Sequence, residues 1–173
     1  MKKLDLKRKI RNIPDFPQKG IVFRDITPLL QDYRYFKQVI DDLVRPFQKQ
    51  KIDVIVGIDA RGFILAAVLA YKLKAGLAII RKKGKLPYRT VKKRYSLEYA
   101  SEITEMHSDA IRPGQRVLLV DDVLATGGTM RATIDIVEKL KGKILGISFL
   151  IKLKFLEGEK RLKGYKINFL VEY

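Results

Sequence analysis

Arg116-Val-Leu-Leu-Val-Asp-Asp-Val-Leu-Ala-Thr-Gly-Gly-Thr129 is the stretch on which the reading of this chain turns. Four apolar residues, Val117 to Val120, run without alternation, which suits a strand buried on both faces. They end on two adjacent carboxylates, Asp121 and Asp122. Small residues follow, Ala125-Thr126-Gly127-Gly128-Thr129, and then a helical pattern from Met130 to Leu140. Small residues between a strand and a helix let the backbone close around an anion. The N–H groups at the helix start then point at it. Thr126 and Thr129 add hydroxyl donors. The two carboxylates repel a phosphate, so they suit its neighbours: ribose hydroxyls or Mg²⁺. Phosphate donors beside sugar acceptors describe a pocket for a ribose 5-phosphate. An Asp-capped helix start with a flexible Gly-Gly turn would need less than this.

Outward from that loop the pattern repeats. Short runs rich in β-branched residues recur at Ile52 to Val56, Leu77 to Ile80, Ile144 to Ile151 and Ile167 to Val171. Helical stretches lie between them: Tyr33 to Gln50, Gly62 to Lys74, Leu97 to Ala110 and Met130 to Leu140. Strands alternating with helices imply βαβ units and an α/β fold, a mostly parallel sheet flanked by helices. Ligands of such folds sit beyond the carboxyl ends of the strands. The places to search are after Val56, after Ile80 and after Val120.

The 173 residues suit one domain, 1–173, with a sizeable core. No linker, repeat or low-complexity tract divides them. With no cysteine, disulfides, thiolate metal sites and thiol nucleophiles are all excluded. A cytoplasmic location is expected. Met1 to Pro14 is basic and carries no apolar run behind it, unlike a signal peptide. Phe63 to Tyr71, the longest apolar run, is too short to span a bilayer. The net charge of +17 draws polyanions and phosphorylated metabolites. It is spread along the chain, and nucleic acid is not an expected partner. One basic stretch stands out: Arg81 to Arg94 holds eight Lys and Arg and no acid. It opens at a strand end and is broken by Gly84 and Pro87, so Arg81 to Tyr99 reads as a long lid loop. Neither G-x-x-x-x-G-K-[ST] nor G-x-G-x-x-G occurs. The single histidine, His107, falls in a polar helical stretch and reads as solvated.

Val117 to Thr129 resembles the signature of phosphoribosyltransferases that bind phosphoribosyl pyrophosphate (PRPP). Three further stretches narrow this: Phe16-Pro17 with Gly20-Ile-Val-Phe-Arg-Asp-Ile-Thr-Pro-Leu-Leu30; Val56-Gly-Ile-Asp-Ala-Arg-Gly-Phe63; and Arg81-Lys-Lys-Gly-Lys-Leu-Pro87 followed by Tyr95-Ser-Leu-Glu-Tyr99. In this order and spacing they resemble the adenine branch of that family, from about Phe16 to about Leu150.

The resemblance implies a type I phosphoribosyltransferase-like fold with a small N-terminal hood, about residues 1–32, and a mobile lid, 81–99. It implies transfer of phosphoribose from PRPP to adenine, giving AMP and pyrophosphate in purine salvage. Ala125, Thr126, Gly127, Gly128 and Thr129 would take the 5-phosphate, and Asp121 and Asp122 the ribose. Asp59, Ala60, Arg61 and Gly62, with Arg81 and Lys85, would take the pyrophosphate. Phe23 would stack on adenine, with backbone groups around Val22 and Arg24 reading the base edge. Arg61 and Lys85 would also act on the leaving group. Glu98 would take or share a purine proton. Mg²⁺ is the implied cofactor, held mainly by PRPP and water, with Asp121 or Asp122 the protein groups nearest to a ligand role. A homodimer is implied.

Each residue also has a plainer reading. Phe23 among Ile21, Val22 and Ile26 suits core packing. Asp25 suits holding Arg24 or capping the Ile26–Leu30 turn, Arg61 a surface position, and Gly62 close helix–sheet packing. Two departures stand out: Ala100 where the family has Gly, and Lys152 near the place of a Glu. Residues 154 to 173 match weakly. Two rivals remain: a phosphoribosyltransferase for 6-oxopurines, and a non-catalytic PRPP-sensing regulator that binds nucleic acid.

Overall fold

Five of the apolar runs become the parallel core of one seven-stranded sheet. The computed structural model describes residues 3–96 and 101–173. They form two compact units, Met1–Asp42 and Leu43–Tyr173. In the larger unit the strands are β3 (Val54–Ile58), β4 (Gly76–Lys82), β5 (Thr90–Ser96), β6 (Ser101–His107), β7 (Arg116–Leu124), β8 (Lys143–Lys152) and β9 (Ile167–Glu172). Their order is β5-β6-β4-β3-β7-β8-β9. Neighbours from β4 to β9 run parallel, while β6 pairs antiparallel with both β4 and β5. The expected mostly parallel α/β sheet is therefore present.

Central placement explains the apolar runs. Val117, Leu118, Leu119 and Val120 are fully buried between β3 and β8. Each such side chain stabilises the fold by roughly 1.5–3 kcal/mol. The start of β7 is held to the residue before β3. Asp53 accepts hydrogen bonds from the Arg116 backbone N–H, Nε and Nη2 at 2.8–2.9 Å. The Asp53 N–H returns one to Arg116 O at 2.9 Å. Those bonds from Arg116 hold the Asp53 carboxyl below the usual carboxylate range. Helix α3 (Arg61–Leu73) joins β3 to β4, and α4 (Gly128–Lys139) joins β7 to β8.

The N-terminal residues make up the smaller unit. A short antiparallel pair, β1 (Arg11–Ile13) and β2 (Phe23–Asp25), precedes α1 (Thr27–Gln31) and α2 (Tyr33–Val44). The helix expected over Tyr33 to Gln50 ends at Val44 and continues as a 3-10 turn, Arg45–Phe47. Pro46 lacks the N–H that an α-helix would need there. Asp25, just before the N-cap residue Ile26, accepts from Thr27 N and Thr27 Oγ1 at the start of α1, both at 2.9 Å.

Two expectations fail in the same region. The helix expected over Leu97 to Ala110 is, from Ser101 to His107, strand β6. The loop expected over Arg81 to Tyr99 is largely strand: Arg81 and Lys82 close β4, and residues 90–96 are β5. Among the described residues of this range, only 83–89 lie outside both strands. His107 therefore stands in a strand, half-buried, with Nε2 enclosed and its ring edge-on to Tyr88 at 6.0 Å. Residues 97–100, which include Glu98, Tyr99 and Ala100, lie outside the described residues.

Candidate active site

The chain leaves β3 toward β4 on one side and leaves β7 toward β8 on the other. With right-handed crossovers, α3 and α4 fall on opposite faces. A crevice opens between the carboxyl ends of β3 and β7, where α/β folds bind ligands. Gly62, in the first turn of α3, sits in it. A Cβ there would lie 2.8 Å from Asp121 Oδ1 and 3.1 Å from Val120 O. Only glycine lets α3 come this close to β7. The packing reading of Gly62 is thus correct.

The carboxylates are not in a loop. Strand β7 runs on to Leu124, pairing Asp121 with Phe149 and Val123 with Ile151 of β8. The turn proper is Ala125 to Gly127, and Gly127 caps α4 at φ 78°, a left-handed conformation that suits glycine. No side chain caps this helix start. A pocket of about 60 Å³ opens here, lined by residues 123–130, Asp121 and Phe149. All five residues expected to take a phosphate, Ala125 to Thr129, line it.

Behind the turn stands Gly158, which opens a 3-10 helix (Gly158–Leu162). A Cβ on Gly158 would meet Ala125 O at 2.1 Å, and one on Gly127 would meet Gly158 O at 2.5 Å. Backbone abuts backbone. Gly158 was missed because residues 154 to 173 carry no recognisable motif. A glycine between charged residues is the one mark it leaves in the sequence.

Asp121 and Asp122 share a tight site. The Asp122 N–H donates to Asp121 Oδ1 at 2.8 Å. Asp122 is buried and ion-paired with Arg61, Nε to Oδ2 2.6 Å. Burial, and then the neighbouring Asp122 charge, push the Asp121 carboxyl well above its ordinary value. Burial also raises Asp122, against the pull of Arg61. The pair thus favours any ligand that brings hydroxyl donors or positive charge. Arg61, expected to face pyrophosphate, faces Asp122 here, so its surface reading is set aside.

On the other side of the crevice, Asp59 follows β3 and gathers two cations of the basic stretch. Arg81 Nε lies 3.0 Å from Asp59 Oδ2, and Lys85 Nζ lies 3.8 Å away. Arg81 Nη1 also donates to Lys85 O at 3.1 Å. The Asp59–Ala60 peptide is cis. Asp59 and Arg81 share with Thr129 a cavity of about 280 Å³, which Tyr95 and Glu102 also line. The end of β3 and the start of α4 thus open into one space.

The hairpin of β5 and β6 adds residues to which the sequence had given no role. Tyr95 stands opposite Glu102 in the register and donates to Glu102 Oε2 at 2.8 Å. Thr129 Oγ1 donates to Tyr95 Oη at 3.2 Å. Burial pushes the Tyr95 hydroxyl up to about 12. Lys82, 2.6 Å away, holds Glu102 below the usual range. The hairpin is thereby tied to the start of α4. Lys93 adds a second tie, 2.8 Å from Asp135 of α4.

Residues 30–169 match the phosphoribosyl transferase domain. The chain belongs to this phosphoribosyltransferase family. An adenine phosphoribosyltransferase of Thermotoga maritima is 55% identical over the full length of both chains. The solved structure of an adenine phosphoribosyltransferase from Rhodothermus marinus superposes with a TM-score of 0.94 at 50% identity, covering 97% of this chain and 96% of that one. One from Giardia lamblia, complexed with 9-deazaadenine, gives a TM-score of 0.91 at 34% identity, covering 96% and 94%.

Family membership leaves Lys152 to be explained by its surroundings. It ends β8, only 12% of its side chain is exposed, and it pairs with Glu172 at 2.7 Å and Glu159 at 3.1 Å. Its ammonium also lies 4.5 Å from the centre of the Phe169 ring. The position that resembled a family Glu is thus a cation, which joins β8, β9 and the Gly158–Leu162 turn.

In the smaller unit, Phe23 is half-buried rather than core. Its neighbours Ile21 and Val22 are 39% and 43% exposed. Its ring stands edge-on to Phe16 at 5.2 Å, and Phe16 is itself 51% exposed. Aromatic surface held open in this way suits stacking more than core packing. Arg24 Nη1 donates to Asn12 Oδ1.

Proposed function

We propose that the enzyme joins adenine to the phosphoribose of PRPP, releasing AMP and pyrophosphate. The observation that carries this reading is the crevice between β3 and β7. An uncapped helix start, a buried acid pair and a second anion site converge there. The 5-phosphate rests on Ala125, Thr126, Gly127, Gly128 and Thr129. The ribose hydroxyls donate to Asp121 and Asp122, whose raised affinity for protons marks them as acceptors. Pyrophosphate meets Asp59, Ala60, Arg61 and Gly62, with Arg81 and Lys85 neutralising its charge. Adenine stacks on Phe23, with backbone groups at Val22 and Arg24 reading its edge, as the family resemblance implies.

The C1–O bond then breaks through an oxocarbenium-like state, and N9 of adenine bonds to C1. Orientation and charge stabilisation carry the rate, with no covalent enzyme intermediate. Residues 81–99 act as a lid that keeps water from the ribosyl cation. Mg²⁺ belongs to this reading. Asp121 and Asp122 fit it, as a buried acid pair short of positive charge. Among the described residues no group of three or more His, Asp or Glu is placed to hold a metal. Substrate and water would therefore supply most of its ligands. When bound, Mg²⁺ supplies Lewis-acid stabilisation of the departing pyrophosphate.

The decisive assay mixes enzyme, adenine, PRPP and Mg²⁺ and follows AMP, with hypoxanthine and guanine as competitors. AMP formation with little use of the 6-oxopurines is expected. No turnover would end the reading, and a preference for 6-oxopurines would move it to another branch of the family. Glu98 is the proposed acid/base group for the purine proton. Glu98→Ala should lower kcat about 10²-fold or more with little change in either KM, since proton transfer belongs to the transition state. A variant at nearly full rate would remove Glu98 from the mechanism.

The enzyme works in the cytoplasm in this reading, where its charged substrates are retained. No described helix is long and apolar enough to cross a membrane. A homodimer is proposed with it, and sedimentation at low micromolar concentration would show a species of twice the 19.9 kDa chain mass.

A further inference from the structure

Glu105 is a glutamate with 1% of its surface exposed, in the middle of β6. Burying an ionised carboxylate costs free energy unless its oxygens are hydrogen-bonded. They are. Oε1 accepts the Gly84 N–H at 2.8 Å, and Oε2 accepts the Thr90 hydroxyl at 3.1 Å. Lys92, opposite in the strand register, lies 3.4 Å from Oε2. Burial alone would raise this carboxyl, but the bonds from Gly84, Thr90 and Lys92 outweigh it and hold it low. One buried carboxylate thus grips both ends of the segment from Gly84 to Thr90.

That segment carries Lys85. Gly84 turns the chain at φ 84°, in the left-handed region, directly before it. Flanking bonds set the same path: Lys83 N to Ile103 O at 2.9 Å and Ser108 N to Arg89 O at 2.9 Å. Lys85 is exposed and reaches toward Asp59 with its Nζ at 3.8 Å. A lysine on an exposed turn pays rotamer and backbone entropy whenever it is held in one place. A residue that fixes the turn from beneath removes part of that cost before the ligand arrives.

We propose that Glu105 is a positioning residue for pyrophosphate capture, acting through the Gly84–Thr90 turn on Lys85. An apolar residue would fill this place in β6 without the cost of a buried charge. The carboxylate is retained because it sets the turn. The inference rests on the reading of the chain as a PRPP-using transferase with Lys85 on the pyrophosphate.

The test is a double-mutant cycle with Glu105→Ala, Lys85→Ala and both together, each with its melting temperature. Glu105→Ala should raise KM for PRPP about tenfold, the scale of losing charge-assisted hydrogen bonds, and leave KM for adenine within about twofold. In the Lys85→Ala background the same change should add less than about twofold, since the two act as one unit. Glu105→Gln keeps an acceptor for Gly84 N–H and should restore part of the loss. If Glu105→Ala does not fold, Glu105→Gln enters the same cycle with an expected effect of about threefold. An equal loss in both backgrounds, or an equal rise in both KM values, would overturn the proposal. Turnover by the wild-type enzyme separates this outcome from failure of the functional reading, in which the wild type itself would be inactive.

Discussion

Replacing Asp121 and Asp122 together by Asn is expected to slow AMP formation on the order of 10³-fold or more while the protein stays folded. Asn keeps the shape of each side chain and loses its charge. The ribose hydroxyls then face amides that accept more weakly, and the positive charge developing on the ribosyl ring loses two anions beside it. Arg61 also loses its partner at 2.6 Å, which frees the α3 side of the crevice. Near-normal turnover by the double variant would sink the assignment of the site.

The same pair makes a pH prediction with a definite sign. The Asp121 carboxyl is raised in the folded state by burial and by Asp122. Where it is ionised, folding pays for the shift. That cost is present above the folded pKa and is relieved as pH falls through it toward the unfolded value. Asp121→Asn removes the cost. Its melting temperature should therefore exceed that of the wild type at pH 8, and the gap should narrow as pH falls to 5. A gap that widens on acidification would show that Asp121 is a stabilising anion instead. The acid pair is thus expected to weaken the fold where it serves the chemistry, the usual trade at an active site.

How much of this was legible depended on burial. Strands β3, β7 and β8 announced themselves because both of their faces are largely covered, and Val117 to Val120 had to be apolar throughout; β4 and β9 showed through their β-branched runs, although Leu77 and Phe169 in them are exposed. The switch point followed from their order, and the loops after β3 and β7 fell where it put them. Strands β5 and β6 did not announce themselves. Lys92, Lys93 and Arg94 are charged, and in β6 a buried Thr104 and Glu105 break the apolar pattern. Their pairing is written across strands, Lys92 against Glu105 and Tyr95 against Glu102. A reading along the chain sees a basic loop and a polar helix. Asp121 and Asp122 were misplaced as loop, since apolar Val123 and Leu124 after them carry β7 onward. The pairing of Arg61 with Asp122 was not legible, because it depends on how closely α3 meets β7.

Gly158 was the least legible of all, and it carries the second large expectation. Gly158→Ala should lower kcat/KM for PRPP about 10²-fold, since a shift of about 1 Å in a binding group can cost that much. A Cβ on Gly158 would stand 2.1 Å from Ala125 O and 3.0 Å from Gly127 N. Both are backbone atoms of the phosphate turn, so no flexible side chain can move aside. The turn itself must shift, and its N–H groups would no longer converge on the 5-phosphate. Overpacking of this kind also destabilises by about 1–3 kcal/mol, so a lower melting temperature is expected alongside. Stability alone must then be separated from the effect on the site. Gly164 supplies the comparison: it sits at φ 91° with nothing within 4 Å of an added Cβ. Gly164→Ala should lower the melting temperature through backbone strain of about 1 kcal/mol or more and leave KM for PRPP unchanged. If Gly158→Ala behaves like Gly164→Ala, losing stability but keeping wild-type kinetics, then the contact with Ala125 is packing alone. If only Gly158→Ala raises KM for PRPP, the C-terminal turn is part of the floor of the phosphate site.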